Sequence, residues 1–438
     1  MYLSEIERRL ALRPRRCNAC MGTCLALAAL IWAFATHAAA ESAPPSAPAN
    51  PQRQLLAALT ELLQRQPDHV GAIYVAARTA ASLGDEAVAL QWLDRLAAVG
   101  LDDELDPDDF GALAQTPAYR ERAARFAAAA PPVGKVERTT EMKCGDLLPE
   151  GTAYDPRRRE VLVSSGRRRT VVAVSTDGGC RDVVPSGDAG LLAVLGMRVD
   201  PATDSLWVAS AAAPFMIDAK PAEAGRATLS RIDLAKGRVA ASYPLPGPGM
   251  LNDLARAPDG SVYVTESRGG AVYRLAPRGA ALNAIVPPET FESPNGIVAL
   301  PDGSLLVADF DGLARIVDPA GPKPVVERLA TPGNLYLGGI DGLALADKRV
   351  IGIQNLVGRS RIWSLAIDTG ERRVTDAQVL LRGHSDFLNP TTGVVVGGRF
   401  VFIADPKLQS ARPDGTMTAL PAGRTGHRML EVAVDAPR

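Results

Sequence analysis

Oxygen-bearing side chains recur at the start of six similar segments in the later two thirds of the chain. The residues that open these segments are Glu150, Leu195, Asn252, Asn295, Asp341 and Thr392. If the segments meet at one point, two carboxylates and two amide oxygens converge there, which suits a hard cation such as calcium with water completing its shell. Asn or Asp before Gly is also common in turns, and this alternative explains each such residue singly. It does not explain Glu150, so the set predicts a divalent metal site.

Other site chemistries have little support in the sequence. Zinc is disfavoured because His69, His384 and His427 are far apart in the chain and the cysteines beyond the first 40 residues lack ligand spacing. No G-x-S-x-G elbow, Walker loop or dinucleotide fingerprint occurs, so a serine hydrolase or a nucleotide-dependent enzyme lacks its motif. The chain has 48 basic and 49 acidic residues, which argues against nucleic-acid binding because phosphate recognition needs a basic surface.

The six segments predict the architecture that would bring these residues together. Each continues with alternating apolar residues and a turn signal, as in NDLARAPDGSVYVTES from Asn252. Their starts are 45, 57, 43, 46 and 51 residues apart, which matches the roughly 40 to 50 residues of a four-stranded propeller blade. We expect an all-β six-bladed β-propeller over residues 131–438, with each first strand lining the channel and residues 133–141 closing the ring against the last blade. A double-layer sandwich is the alternative, but it does not explain the repeat.

A small all-α domain is predicted for residues 54–130, ahead of the propeller. Apolar residues recur there at helical spacing, and a Gly-Asp pair at Gly84 separates the second and third helices. Residues 72–100 resemble a tetratricopeptide repeat, while a small helical bundle is the alternative. One repeat with partial neighbours is fewer than the three or so that a free-standing array needs, so we expect it to pack on another part of the chain. Asp106, which precedes a proline, predicts a helix cap rather than a calcium loop.

Residues 1–40 are predicted to be an export signal. Five arginines precede an apolar run over residues 24–34, and three alanines at 38–40 follow it, which is the layout of a secretory signal peptide. The apolar run is shorter than the roughly 20 residues of a membrane span, so we expect cleavage and a periplasmic or secreted protein without a permanent membrane anchor. Residues 41–53 are rich in Pro, Ala and Ser and predict a flexible linker.

The cysteine positions fit an exported protein. Cys17, Cys20 and Cys24 have a C-x-x-C-x-x-x-C spacing, but they lie within the predicted signal peptide and have no partner cluster downstream. Cys144 and Cys180 remain in the mature chain. They are candidates for one disulfide, and two buried free thiols are the alternative.

Four motifs of the propeller region carry a family resemblance: PEGTAYD, LNDLARAPDGSVYVTES, SPNGIVALPDGSLLVADF and GIDGLAL. Over about 290 residues the chain resembles the senescence marker protein/gluconolactonase (regucalcin-like) family. The resemblance implies a lactone hydrolase in which Glu150, Asn295 and Asp341 hold a divalent metal. It also implies that Asn252 contacts metal-bound water or substrate, and that the second blade supplies no ligand, in agreement with Leu195.

The chain departs from the family pattern at the position that engages sugar. Sugar lactonases of the family have an Arg two residues before the Asn of the third blade, where this chain has Met250. This makes a sugar lactone a weaker expectation. The sixth blade starts with NPTTGVVVGGRFVFIAD from Asn389, which resembles a bacterial branch of the family whose substrates the resemblance does not identify.

The predicted function is an exported, metal-dependent hydrolase of a lactone or related ester. In this hypothesis calcium polarises the carbonyl, Asp341 takes a proton from the attacking water, and Asn252 orients substrate or water. The alternative is a non-catalytic binding protein of the cell envelope, with a structural metal in the propeller and a helical domain that docks a protein partner. A third hypothesis is an esterase or strictosidine-synthase-like propeller, because one propeller architecture hosts many chemistries.

Overall fold

The structure is a computed structural model that describes most of the chain beyond residue 49. The described residues are 50–101, 103–332, 335–387, 389–406, 411, 415–417 and 426–434. The predicted signal peptide, most of the predicted linker, and Cys17, Cys20 and Cys24 lie outside them. Within the described ranges, no helix is both long and apolar enough to cross a bilayer.

Helices form the first part of the described chain, as predicted. They are α1 (Pro51–Arg65), α2 (Val70–Ser82), α3 (Glu86–Ala98), a 3-10 helix (Pro107–Gln115) and α4 (Pro117–Ala129). Helix α1 begins within the predicted linker because the side chain of Asn50 accepts a hydrogen bond from the N–H of Gln52, and Pro51 suits the first helical turn. Asp106 caps the 3-10 helix as expected, by accepting from the N–H of Asp108. The tetratricopeptide assignment stays a prediction.

The rest of the described chain forms six four-stranded antiparallel sheets, which confirms the predicted six-bladed β-propeller. Blades 1 to 3 comprise β2 (Thr152–Asp155), β3 (Glu160–Ser165), β4 (Thr170–Val174), β5 (Cys180–Asp182), β6 (Ala193–Asp200), β7 (Ser205–Ala211), β8 (Ala227–Asp233), β9 (Arg238–Pro244), β10 (Leu251–Arg256), β11 (Val262–Glu266), β12 (Ala271–Leu275) and β13 (Asn283–Val286). Blades 4 to 6 comprise β14 (Ile297–Ala299), β15 (Leu305–Asp309), β16 (Gly312–Val317), β17 (Val325–Arg328), β18 (Ile340–Ala346), β19 (Arg349–Gln354), β20 (Arg361–Asp368), β21 (Arg373–Arg382), β22 (Gly393–Val396), β23 (Arg399–Ile403), β24 (His427–Ala433) and β1 (Arg138–Met142).

The ring closes in the sixth blade through a strand from the start of the propeller. Strand β1 pairs antiparallel with β24, with Arg138 opposite Glu431 and Met142 opposite His427. This confirms the predicted closure, although the strand covers only the second half of the range expected for it. A disulfide joins Cys144, just after β1, to Cys180 on β5, the outer strand of blade 1. The disulfide prediction is thus confirmed, and the alternative of two free thiols was wrong.

Neighbouring blades share apolar cores, and their first strands meet closely around the channel. Buried clusters lie between each pair of adjacent blades, including the pair formed by blades 6 and 1. The residue after a blade's opening residue is often glycine, because the next first strand approaches its backbone. A Cβ at Gly151 would overlap the carbonyl of Leu195, and one at Gly296 would lie 2.7 Å from the carbonyl oxygen of Asp341. These glycines allow the opening residues of successive blades to stand side by side.

The helical domain packs on the propeller, as its small size predicted. Its apolar core includes Phe310, which follows β15, and Leu356 and Val357, which follow β19. His69 lies 2.9 Å from a carboxylate oxygen of Asp311 and stacks on Phe310. In an antiparallel sheet the end of the second strand adjoins the start of the first. The helices therefore cover blades 4 and 5 on the same face where the first strands begin.

Candidate metal centre

The structure places the four predicted site residues at the starts of four first strands, on one face of the ring. Glu150 and Asn295 stand two residues before β2 and β14, while Asn252 lies within β10 and Asp341 within β18. All four are buried, with Glu150 9%, Asn295 1% and Asp341 4% exposed. Two of the four therefore belong to strands, which the turn alternative for Asn and Asp did not predict.

Asp341 is at the centre of a buried group of amides. Its Oδ1 accepts a hydrogen bond from Asn295 Nδ2, and its Oδ2 accepts one from Asn355 Nδ2 at 2.6 Å. Asn355 follows β19 and donates a second hydrogen bond, to the carbonyl of Pro390 in blade 6 at 2.7 Å. Asp341 is thus held by its own blade and by blade 4, and Asn355 connects it to blade 6.

Glu150 is held through its backbone, which leaves its carboxylate out of these contacts. The hydroxyls of Thr391 and Thr392 donate to the carbonyl of Glu150, at 3.0 and 2.6 Å. On the other side, Ser164 Oγ accepts from the N–H groups of Glu150 and Gly151. Thr392, the opening residue of the sixth blade, therefore binds the backbone of its neighbour in blade 1.

Asn252 is anchored to the neighbouring blade through a serine. Its Nδ2 donates to Ser267 Oγ at 3.0 Å, and Ser267 donates to the carbonyl of Pro294 at 2.6 Å. Pro294 precedes Asn295, so these two hydrogen bonds link the opening residues of blades 3 and 4. Leu195 instead belongs to the apolar core between blades 2 and 3, as does Met250. The second blade contributes an apolar residue to the ring, as expected.

Burial raises the pKa values of both site carboxylates. For Glu150 the largest cause is desolvation, followed by the negative charge of Asp341. For Asp341 desolvation again dominates, and the hydrogen bonds from Asn355 and Asn295 only partly offset it. The charge of Asp253 raises both pKa values further. Because burial destabilises their negative charges, these two carboxylates are stabilised either by protonation or by a bound cation.

An arginine from blade 2 reaches across the channel to blades 3 and 5. Arg198 Nη2 lies 3.2 Å from Asp253 Oδ2 and 3.2 Å from the carbonyl of Leu343 in blade 5. Asp253 also accepts from the N–H of Ile297 in blade 4. Arg198 thus provides positive charge for Asp253, whereas the Asp341 carboxylate accepts hydrogen bonds from the neutral amides of Asn295 and Asn355.

The donor set fits a hard divalent cation. Within the described ranges, the buried oxygens Asn295 Oδ1 and Asn355 Oδ1 have no hydrogen-bond partner. An unpaired buried oxygen costs free energy unless a donor or a cation satisfies it. Carboxylate and amide oxygens are the ligands that calcium prefers. No group of three or more His, Cys, Asp or Glu residues in the described part of the chain is placed to hold a metal, so a site here depends on amide oxygens in addition to Glu150 and Asp341.

Sequence reasoning missed Asn355, Asp253 and Arg198. Asn355 had a readable signal, because the end of each second strand lies beside the start of the first. The apolar run RVIGIQ therefore brings the next residue, Asn355, to the same face as Asp341. Asp253 follows Asn252 directly, where the other five blades have glycine. Arg198 had no such signal, since its contact with Leu343 joins positions 145 residues apart.

Comparisons with known proteins give similarities in fold. No family model matches the chain, and no curated protein matches it. Among solved structures, the chain is similar to a gluconolactonase from Xanthomonas campestris, at 15% identity and a TM-score of 0.45, over 69% of this chain and 100% of the other. It is also similar to the PQQ-bound aldose sugar dehydrogenase of Streptomyces coelicolor, at 17% identity and a TM-score of 0.47, over 69% and 98% of the two chains.

A lyase has a similar fold as well. Virginiamycin B lyase from Staphylococcus aureus is 14% identical, with a TM-score of 0.44, and the match covers 68% of this chain and 98% of the lyase. The three proteins carry names of three different activities. Because propellers host unrelated reactions, these similarities describe the fold and do not select a reaction.

Proposed function

We propose that the protein is a metal-dependent hydrolase of a lactone or related ester, with calcium as the metal. The observation that carries the proposal is the buried pair of Glu150 and Asp341 beside Asn295, whose Oδ1 has no hydrogen-bond partner among the described residues. Glu150, Asn295 and Asp341 would hold the cation. The family resemblance of their motifs supports the same assignment. Export through residues 1–40 is part of the proposal.

The chain's own residues perform the proton transfer in this reaction. A bound divalent cation supplies polarisation of the substrate carbonyl and charge for the developing oxyanion. Asp341 accepts a proton from water as the water oxygen bonds to the carbonyl carbon. The C–O bond of the ester then breaks, and the leaving oxygen takes up the proton that Asp341 accepted, which yields a hydroxy acid from a lactone and restores the Asp341 carboxylate. Asn252 orients water or substrate at the same face of the ring.

The proposal predicts that Asp341→Asn lowers kcat/KM by at least about a hundredfold while the protein remains folded, because the variant keeps the shape but cannot accept the proton. A panel of lactones and esters, with metal content measured by mass spectrometry, provides the readout. Asp347→Asn is the matched control, since it makes the same change in the exposed hairpin turn of the same blade. It should retain wild-type turnover.

Two results would contradict the proposal. Turnover near wild type in Asp341→Asn would remove this residue from the mechanism. Bound metal with no turnover on any lactone or ester would favour a binding protein whose metal is structural and whose helical domain serves a partner.

A further inference from the structure

We infer that Asn355 is a further metal-binding residue of this site, with its Oδ1 as an additional protein oxygen for the cation. The inference rests on the proposed function, because it takes Asp341 and Asn295 as ligands of the same ion. Calcium takes six to eight oxygen ligands, so Glu150, Asn295 and Asp341 leave room for a fourth side chain. Asn355 offers a buried amide oxygen next to Asp341.

The orientation of the Asn355 amide is determined by its acceptors. Its Nδ2 donates to the carbonyl of Pro390 at 2.7 Å and to Asp341 Oδ2 at 2.6 Å. A backbone carbonyl only accepts, so the nitrogen must face Pro390 and cannot exchange places with the oxygen. The Oδ1 is therefore left without either contact.

That oxygen is buried beside the proposed ligand Asp341. Asn355 is 9% exposed, and in the described structure its Oδ1 has no hydrogen-bond partner. The amide group lies within one hydrogen bond of Asp341, whose Oδ1 in turn contacts Asn295. Asn295 Oδ1 is also buried without a hydrogen-bond partner in the described structure. Two buried amide oxygens next to one carboxylate would be satisfied by a shared cation, whereas a purely structural role for these amides would leave both oxygens unsatisfied.

The helical domain holds the turn that carries Asn355. Leu356 and Val357 lie in the apolar core of the helices, at 4% and 0% exposure. At the following residues, the N–H of Arg359 donates to the carbonyl of Glu104 at 2.7 Å, and their side chains form an ion pair at 2.9 Å. A Cβ at Gly358 would meet the same carbonyl at 2.6 Å. The turn is thus fixed between the ring and the segment that follows α3.

The test measures calcium binding to the full-length chain by isothermal titration calorimetry. Asn355→Ala should lower calcium affinity at least about tenfold, and Asn355→Asp, which keeps an oxygen at this position, should bind more tightly than the alanine variant. Asn283→Ala on the exposed outer strand β13 is the matched control and should bind as wild type. Thermal unfolding in a chelator establishes that each variant is folded, and Asn355→Ser replaces the alanine variant if that one does not fold.

The outcomes separate this inference from the function on which it rests. Wild-type calcium affinity in folded Asn355→Ala or Asn355→Ser overturns the inference alone, provided that Asp341→Asn has lost binding. A wild-type protein that binds neither calcium, magnesium nor manganese overturns both the inference and the proposed metal site.

A double-mutant cycle examines the support from the helices. Val357→Ala should lower calcium affinity about threefold in the wild-type background and should have no effect in the Asn355→Ala background, because its effect passes through Asn355. An equal loss of calcium affinity in both backgrounds would show that Val357 does not act through Asn355.

Discussion

Asp341 differs from two other buried carboxylates of the ring, Asp253 and Asp309, in the partners that surround it. Asp253 faces Arg198, and Asp309 at the end of β15 lies 2.9 Å from Arg328. Asp341 instead accepts from two neutral amides, Asn295 and Asn355. Amide hydrogen bonds lower the pKa of a carboxylate, but here they do not offset its desolvation. The residue is therefore suited to bind a cation, and in the proposed reaction to accept a proton.

These raised pKa values predict a pH dependence of metal binding. Protons compete with a cation for carboxylates, so calcium affinity should fall as the pH decreases from 8 to 6, well above the ordinary range of Asp and Glu. In the metal-free protein the folded state binds more protons than the unfolded state, so the free energy of unfolding should decrease as pH rises through the same window. Titration calorimetry at several pH values checks the change in calcium affinity, and thermal unfolding in a chelator checks the change in the free energy of unfolding. Affinity that stays constant from pH 8 to 6 would contradict the expectation.

At the level of elements, the antiparallel hairpin explains why the candidate site residues lie on one face of the ring. In every blade the first strand starts, and the second strand ends, at this face. A residue that opens a first strand, such as Asp341, is thus brought beside one that follows a second strand, such as Asn355. The opposite end of the sheets carries the hairpin turns, such as the exposed one at Asp347.

The disulfide stabilises the point where the ring closes. Cys144 follows the closing strand β1 of blade 6, and Cys180 lies on the outer strand of blade 1, where Lys143 also donates its N–H to Gly178. The Cys144→Ala/Cys180→Ala variant should lose about 2–4 kcal/mol of unfolding free energy, because the open chain gains entropy on unfolding. Denaturant unfolding measures the loss. A reductant should destabilise the wild type and leave the stability of the variant unchanged. Equal stability of the variant and of the wild type without reductant would refute a role of the disulfide in ring closure.

Over the whole molecule, the helices share one apolar cluster with blades 4 and 5 of the propeller. The helical residues and Phe310, Leu356 and Val357 form a single buried cluster. Beside it, Asp103 and Arg361, both fully buried, form an ion pair at 3.5 Å. The division predicted at residue 130 therefore marks a change of secondary structure, and whether it also separates two folding units stays a prediction to be tested.

The shared core predicts that helices and propeller unfold in one calorimetric transition. Asp103→Ala should lower the Tm of that whole transition, with a loss of about 3–5 kcal/mol, because it leaves Arg361 buried without this partner. Asp68→Ala, an exposed position in the same domain, is the control and should change stability by less than about 0.5 kcal/mol. Two separate transitions, with only the first affected by Asp103→Ala, would show that the domains unfold independently.

The sequence by itself determined the blade repeat, the closing strand and the four opening residues. These follow from local patterns, because alternating apolar residues and turns specify hairpins, and a constant period places equivalent residues on one ring. The tertiary structure alone decided that Asn355 reaches Asp341, that Arg198 spans the channel to Leu343, and that the helices cover blades 4 and 5. Such contacts join residues far apart in the chain, and they exist only once the ring has closed and the helices have packed on it.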